Sequence, residues 1–316
     1  MTLTGLYVPL ITPFGHRGAV ALDALEALAH QVLDAGATGL VALGTTGEPD
    51  TLTLAERRSV MDVAARVCRE RHAPLLAGAH TPEDLRALGE RPEVTAALSV
   101  VPPFARPGQD GVLAYFAQLA SGSPVPLVVY DVPRRTGQYL TAQTLRRLAG
   151  VPGVAGLKYA PGGINGDTVA LLAARPDGLA ILGGDDVFIS PLLALGADGG
   201  ILASAHVATA EFARLMDRWR SGDVTSARAL GGRLGTLSAA LFAEPNPTVI
   251  KAVLHAQGRI PTPAVRLPLL PAQPGSADTA LRHLGALEAA EAAEAAGAAG
   301  AAGAAGAARA AGAACG

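Results

Sequence analysis

The segment LVVYDVPRRTGQYLTAQTLRRLAGVPGVAGLK, residues 127–158, holds two short apolar runs, Leu127–Tyr130 and Val154–Lys158. A run of that length, rich in Val and Leu and bounded by turn residues, reads as a buried strand. The same signature recurs at Leu6–Ile11, Gly39–Leu43, Pro74–Ala77, Ala96–Val101, Ala180–Leu182 and Gly200–Ala203, giving eight strands in all. Amphipathic stretches lie between them. Leu54–Arg71 carries Val60, Val63, Ala64 and Val67 on one face, and Ala208–Arg220 carries Phe212, Leu215, Met216 and Trp219 at helical spacing. These stripes are core positions and imply no cofactor. Strand then helix, eight times over, predicts an α/β fold of the (β/α)8 TIM barrel type. A doubly wound sheet is the rival, but no Gly-x-Gly-x-x-Gly follows the first strand.

After Trp219 the strands stop. Helical patterns follow at Ser226–Ala243, Thr248–Gln257 and Ala277–Leu287, the first two separated by Glu244-Pro245-Asn246-Pro247. The expected organisation is a barrel over residues 1–222, a C-terminal helical region packed on it over 223–288, and an Ala/Gly-rich tail over 289–316. Glycine at every third position weakens a helix, so the tail is expected as a fraying helix or a disordered segment.

Composition narrows the function. Twenty-five basic against twenty-seven acidic residues leave a formal charge of -2, without the basic footprint that nucleic acid requires. Half of the residues are hydrophobic, yet proline or charge interrupts every apolar stretch before the roughly 20 residues a bilayer needs. Met1–Phe14 has no basic n-region and carries Pro9 and Pro13, so a cytoplasmic location is expected. Two cysteines, Cys68 and Cys315, cannot build a zinc site or a disulfide framework. Of the twenty-five basic residues only Lys158 and Lys251 are lysines. Lysine, unlike arginine, can lose its proton and become a nucleophile. Lys251 reads as a leftover of codon usage; Lys158 differs because it closes an apolar strand.

Barrel enzymes place chemistry at the C-terminal ends of their strands. Those ends carry Gly44-Thr45-Thr46-Gly47-Glu48, Pro102-Pro103-Phe104, Tyr130, Lys158, Gly183-Gly184-Asp185-Asp186 and Ala203-Ser204. An amine that attacks a carbonyl needs a lowered pKa, and the apolar strand end supplies burial. Tyr130, ending the preceding strand, can shuttle protons, while the threonines between glycines can present hydroxyl and N–H groups to a carboxylate. Taken singly, Tyr130 reads equally well as a core tyrosine, the glycine-threonine loop as a turn, and Lys158 as a rim lysine. Placed together at one end of one barrel, they describe a site for a 2-oxo acid held as a Schiff base. Asp185, Asp186, His80 and His206 near strand ends raise a metal-dependent aldolase as a rival, but such sites need convergent histidines, so no metal is expected. Gly199 and Gly200 read as preceding the eighth strand, at the stable face, and mark no phosphate site.

Five motifs in order resemble the dihydrodipicolinate synthase and N-acetylneuraminate lyase family of class I aldolases: Gly44-Thr45-Thr46-Gly47-Glu48, Tyr130-Asp131-Val132-Pro133-x-Arg135-Thr136-Gly137, Gly156-Leu157-Lys158, Gly184-Asp185-Asp186 and Glu244-Pro245-Asn246-Pro247. The resemblance covers Leu6 to about Leu270. It implies that Lys158 forms the Schiff base with pyruvate, that Tyr130 is the proton shuttle hydrogen-bonded by Thr45, and that Thr46 holds the pyruvate carboxylate. It also implies that Gly184 and Ile201 line the pocket through backbone groups and that Arg135 receives the carboxylate of the aldehyde. The synthase pattern after Tyr130 points to aspartate semialdehyde as that aldehyde and to lysine biosynthesis, with no cofactor and a homotetramer or homodimer as the assembly. Where synthases carry a Tyr-Tyr pair, whose second tyrosine crosses the dimer interface, this chain has Pro103 and Phe104. Tyr115 is not expected to replace it, and Tyr159 is expected to point away from Lys158 by strand alternation. The lysine feedback site is not recognisable near Pro49, Arg57 and His80, which implies insensitivity to lysine. Two other readings stand beside the synthase: a 2-oxo-3-deoxy sugar acid aldolase or dehydratase, or an N-acetylneuraminate lyase-like enzyme, of the same family, and a non-catalytic barrel that binds a 2-oxo acid.

Overall fold

A computed structural model describes residues 3–313, with the side chains of residue 295 and of residues 297–313 outside the description; Met1, Thr2 and residues 314–316, among them Cys315, lie outside it altogether. Eight parallel strands close into a barrel in chain order: β1 Gly5–Pro9, β2 Gly39–Ala42, β3 Leu75–Gly78, β4 Val94–Val100, β5 Leu127–Asp131, β6 Val154–Tyr159, β7 Ala180–Gly183 and β8 Gly199–Ile201. The helices are α1 Leu22–Asp34, α2 Leu54–Glu70, α3 Pro82–Leu88, α4 Gly108–Ser121, α5 Pro133–Thr136, α6 Ala142–Leu148, α7 Gly166–Ala173, α8 Ile189–Ala194, α9 Thr209–Ser221, α10 Val224–Leu241, α11 Thr248–Ala256 and α12 Ser276–Ala313. The fold is thus a (β/α)8 TIM barrel with a C-terminal helical extension. None of the described helices is long and apolar enough to cross a membrane.

Alternation along the strands makes two cores. Tyr7, Val41, Leu76, Leu98, Val128, Leu182 and Ile201 fill the barrel interior, while Leu6, Val8, Leu40, Leu75, Val129, Leu157 and Ile181 face the helices. The helix stripes read from the sequence meet the outer face: Val60, Val63, Ala64 and Val67 of α2 and Phe212, Leu215 and Met216 of α9 are all buried. Thr53 starts α2 with a reciprocal capping box to Glu56.

The eighth strand differs from its sequence reading. It runs Gly199–Ile201, so both glycines belong to the strand, and Ala203–His206 forms a 3-10 turn instead of its end. Packing sets this register, since a Cβ at Gly199 would lie 2.0 Å from the Gly5 carbonyl oxygen of the neighbouring β1. The chain after residue 289 continues α12 as helix to Ala313. Alanine, the strongest helix former, outnumbers glycine there.

Lys251 is not a leftover. It is fully buried on α11, where its Nζ forms an ion pair with Glu48, donates to the Ala264 carbonyl at 2.9 Å and sits 4.0 Å from the centre of the Phe14 ring. The second Glu48 oxygen accepts the Arg266 N–H at 2.8 Å. Burial lowers the Lys251 pKa to about 8, with the Glu48 carboxylate only partly opposing it. This pair ties the extension to the loop after β2, which leaves ordinary backbone space at both ends: Leu43 has φ 54° and Glu48 φ 53°. Removing one partner leaves a buried unpaired charge, at a cost of about 3–5 kcal/mol. Lys251→Met should therefore lower the free energy of urea unfolding by that order, and Glu48→Gln with Lys251→Met should recover most of it. Equal losses in the single and double variants would show that the pair does not hold the fold.

Candidate active site

The C-terminal ends of the strands open into a cavity lined by Thr45, Thr46, Tyr130, Val132, Arg134, Arg135, Lys158, Gly184, Asp185, Asp186, Ile201, Phe242 and Asn246, among others. Every residue singled out from the sequence as catalytic or substrate-binding is on this wall. The register explains why. Tyr130 pairs with Lys158 across β5 and β6, and Lys158 with Leu182 across β6 and β7, so all three share a level and face inward. Lys158 is 4% exposed, its Nζ lying 4.3 Å from the centre of the Tyr130 ring. Tyr159, one residue on, turns outward as alternation demands, and its hydroxyl shares a hydrogen bond of 3.0 Å with Thr168 on α7.

Burial dominates the electrostatics. It lowers the Lys158 pKa to about 8; Arg135 adds to the lowering, while Asp186 and Asp185 oppose it. It raises the Tyr130 phenol to about 12, against smaller opposing effects of Arg135 and of a Thr45 hydrogen bond. The amine is thus easier to deprotonate than a free lysine, and the phenol keeps its proton near neutrality. Asp186 is raised to about 6 by burial, although its Oδ2 accepts the Ser204 N–H at 2.6 Å. Asp185 accepts the Gly162 N–H at 2.6 Å and is likewise raised by burial.

Gly184 has a steric reason to be glycine. A Cβ there would meet Lys158 Cε and Cγ at 3.0 Å, and its N–H is committed to the Tyr159 carbonyl at 2.8 Å. Arg135 follows Val132-Pro133 on α5, exposed at the rim, where Gly137 at φ 71° ends the short helix in the left-handed conformation that glycine tolerates. Phe104 lies outside the cavity wall, 90% exposed with φ 67°. Tyr115 does not substitute for a relay tyrosine, since its hydroxyl donates to the His80 carbonyl at 3.0 Å. His206, considered as a metal ligand, is fully buried with both ring nitrogens used: Nε2 accepts the Ile11 N–H at 3.2 Å and Nδ1 pairs with the Ala203 carbonyl at 3.0 Å. His80 Nδ1 accepts the Val100 N–H at 3.4 Å. Among the described residues no three His, Cys, Asp or Glu side chains are grouped as metal ligands would be.

Four polar wall residues, Arg134, Asp185, Asp186 and Asn246, had no substrate role in the sequence reading. Asp185 and Asp186 belong to a quoted motif, and Asn246 to another, so the signal was present without a geometry. Arg134, beside Arg135, had no signal beyond its neighbour.

Asp131 sits directly behind Tyr130, 2% exposed, with Oδ1 unpartnered and its pKa raised from 3.8 to about 7 by burial and by Asp185. Between those values the folded chain holds a proton that the unfolded chain has lost, so this group makes stability fall as pH rises from about 4 through about 7. Asp131→Asn should remove that decline, stabilising the protein more at pH 8 than at pH 5 in thermal melts. An equal shift at both values would contradict the assignment.

The chain matches the family model described as the dihydrodipicolinate synthetase family over residues 2–287. It is 35% identical over 277 residues to 4-hydroxy-tetrahydrodipicolinate synthase 2 of Clostridium acetobutylicum, covering 86% of this chain and 96% of that one. It is also 35% identical over 274 residues to the 4-hydroxy-tetrahydrodipicolinate synthase of Neisseria meningitidis serogroup B, covering 85% and 93%. Among solved structures, dihydrodipicolinate synthase of Thermotoga maritima superposes with a TM-score of 0.86 at 27% identity, covering 91% of this chain and 99% of that one. The chloride-inhibited dihydrodipicolinate synthase of Acinetobacter baumannii, complexed with pyruvate, superposes with a TM-score of 0.84 at 33% identity, covering 90% and 99%.

Proposed function

The chain belongs to the dihydrodipicolinate synthetase family, and we propose that it is a 4-hydroxy-tetrahydrodipicolinate synthase joining pyruvate to aspartate semialdehyde through a Schiff base on Lys158. The observation that carries this reading is the Lys158 amine, buried at the floor of the cavity against Tyr130 with its pKa lowered to about 8. At pH 7 such an amine is neutral in roughly one molecule in ten, against fewer than one in a thousand for free lysine.

The neutral Nζ attacks the ketone carbon of pyruvate. The resulting oxyanion takes a proton from the Tyr130 phenol, the phenolate then removes one from the ammonium nitrogen and passes it to the new hydroxyl, and the freed nitrogen lone pair expels water, leaving an iminium ion. Loss of a methyl proton gives the enamine, whose carbon adds to the aldehyde carbon of aspartate semialdehyde. The amino group of that partner then attacks the imine carbon, closing the ring and releasing Lys158. In this reading Thr45 steadies the Tyr130 hydroxyl, the Thr46 hydroxyl binds the pyruvate carboxylate, Gly184 and Ile201 bound the pyruvate, and Arg135 at the rim takes the carboxylate of the aldehyde. The relatives in the comparison support the choice of partner, because both carry the synthase name over nearly their whole length. We also infer a self-associating, cytoplasmic enzyme; one of the solved relatives is described as a monomeric variant.

Borohydride added with pyruvate should leave a covalent adduct on Lys158 and none in Lys158→Ala, with the trapping rate rising with pH to about 8 and then levelling. An adduct elsewhere, or none, would overturn the reading. Tyr130→Phe should slow turnover about 10²-fold or more while leaving the fold intact. In a consumption assay with aspartate semialdehyde, N-acetylmannosamine and short sugar aldehydes, the first should be preferred. Added lysine should leave the rate unchanged.

A further inference from the structure

Among the described residues, four buried side-chain oxygens have no hydrogen-bond partner: Asp131 Oδ1, Ser204 Oγ, Ser238 Oγ and Asn246 Oδ1. Of the four residues only Asn246 lines the cavity that holds Lys158. It reaches there from the turn between α10 and α11, outside the barrel, and its Nδ2 donates to Thr46 Oγ1 at 2.9 Å. Thr46 is 2% exposed, and its neighbour in the loop, Glu48, is held by Lys251 of the same extension.

The chemistry of a hydroxyl turns this contact into a constraint. A threonine oxygen carries one hydrogen and two lone pairs, and an amide nitrogen only donates. Once Asn246 occupies a lone pair, the Thr46 hydrogen cannot point at Asn246. No protein acceptor for it is present among the described residues, so it is left to the cavity. A carboxylate is an acceptor only. A Thr46 hydroxyl held with its hydrogen toward the cavity is set to bind a carboxylate; one free to rotate must first be ordered, and one whose hydrogen is drawn to an acceptor beside it presents a lone pair and repels.

We propose that Asn246 is a positioning residue of the site, which fixes the Thr46 hydroxyl as a donor to the carboxylate of the 2-oxo acid. The inference rests on the proposed function, in that it assigns the carboxylate of pyruvate to Thr46. Through it, the C-terminal extension sets how the barrel recognises its first substrate.

The measurement is the pyruvate concentration that half-saturates borohydride trapping on Lys158 without any aldehyde, in wild type, Asn246→Ala, Asn246→Asp, Thr46→Val and Thr46→Val with Asn246→Ala. Asn246→Ala should raise it about tenfold while reaching the same final adduct and keeping the melting temperature. Asn246→Asp, of the same shape but accepting instead of donating, should raise it further and so covers the case in which the alanine variant misfolds. Adding Asn246→Ala to Thr46→Val should change it less than twofold, because the two act through one hydroxyl. A half-saturation within twofold of wild type in both Asn246 variants, or losses that multiply in the double variant, would overturn the proposal. Failure of the function itself reads differently: wild type would then form no Lys158 adduct at any pyruvate concentration.

Discussion

Taking an ammonium group out of water disfavours its charge, and the fold imposes this on two amines, both lowered to about 8 but in different company. Lys251 meets a carboxylate, a carbonyl and an aromatic face, so its charge is compensated in place. Lys158 is as deeply placed but has no ion pair among the described residues; a phenol ring and two acids at longer range are what it meets. The same residue type is thus a paired structural group in one setting and the proposed nucleophile in the other. A chain with arginine at nearly every other basic position keeps a compact amine at both of these buried places.

The surroundings of Lys158 set how far its pKa falls. Asp185 and Asp186 favour the charged amine, Arg135 disfavours it, and burial outweighs all three. Burial also keeps the acids from exerting their full pull, since both are themselves raised. Asp186 stays anchored by the Ser204 N–H. The site is therefore a balance in which a bare carboxylate in contact with Nζ would restore the charge of the amine, and the geometry avoids that contact.

Legibility followed the range of the interaction. Lys158, Tyr130 and the Gly44–Gly47 loop could be read because strand ends and strand alternation are local, and parallel pairing of neighbouring strands then brings them together. The family resemblance, through its motifs for Arg135 and Gly184 and without one for Ile201, placed all three on the same wall. The eighth strand slipped because its register is set by Gly199 meeting Gly5 across 194 positions of chain, which no local pattern encodes. Lys251 was misread for the same reason: its meaning lies in Glu48, 203 residues away. Asn246 belonged to a recognised motif, yet only its contact with Thr46 gives it a task.

The loop after β2 shows why the extension cannot be treated as an appendage. The chain turns sharply at Leu43 with a positive φ, and the Leu43 carbonyl there packs so closely on Gly78 that a Cβ has no room. It turns again at Glu48, also with a positive φ. Non-glycine residues adopt that conformation only where their surroundings over-determine it. Here the over-determination comes from Lys251 and Arg266 on Glu48 and from Asn246 on Thr46, all of them beyond the last strand. A barrel cut after α9 would retain every residue proposed to touch pyruvate and would lose the contacts that hold Thr46 and its loop neighbour Glu48 in place. Substrate recognition and the C-terminal packing are therefore one structural problem, solved by the same few hydrogen bonds.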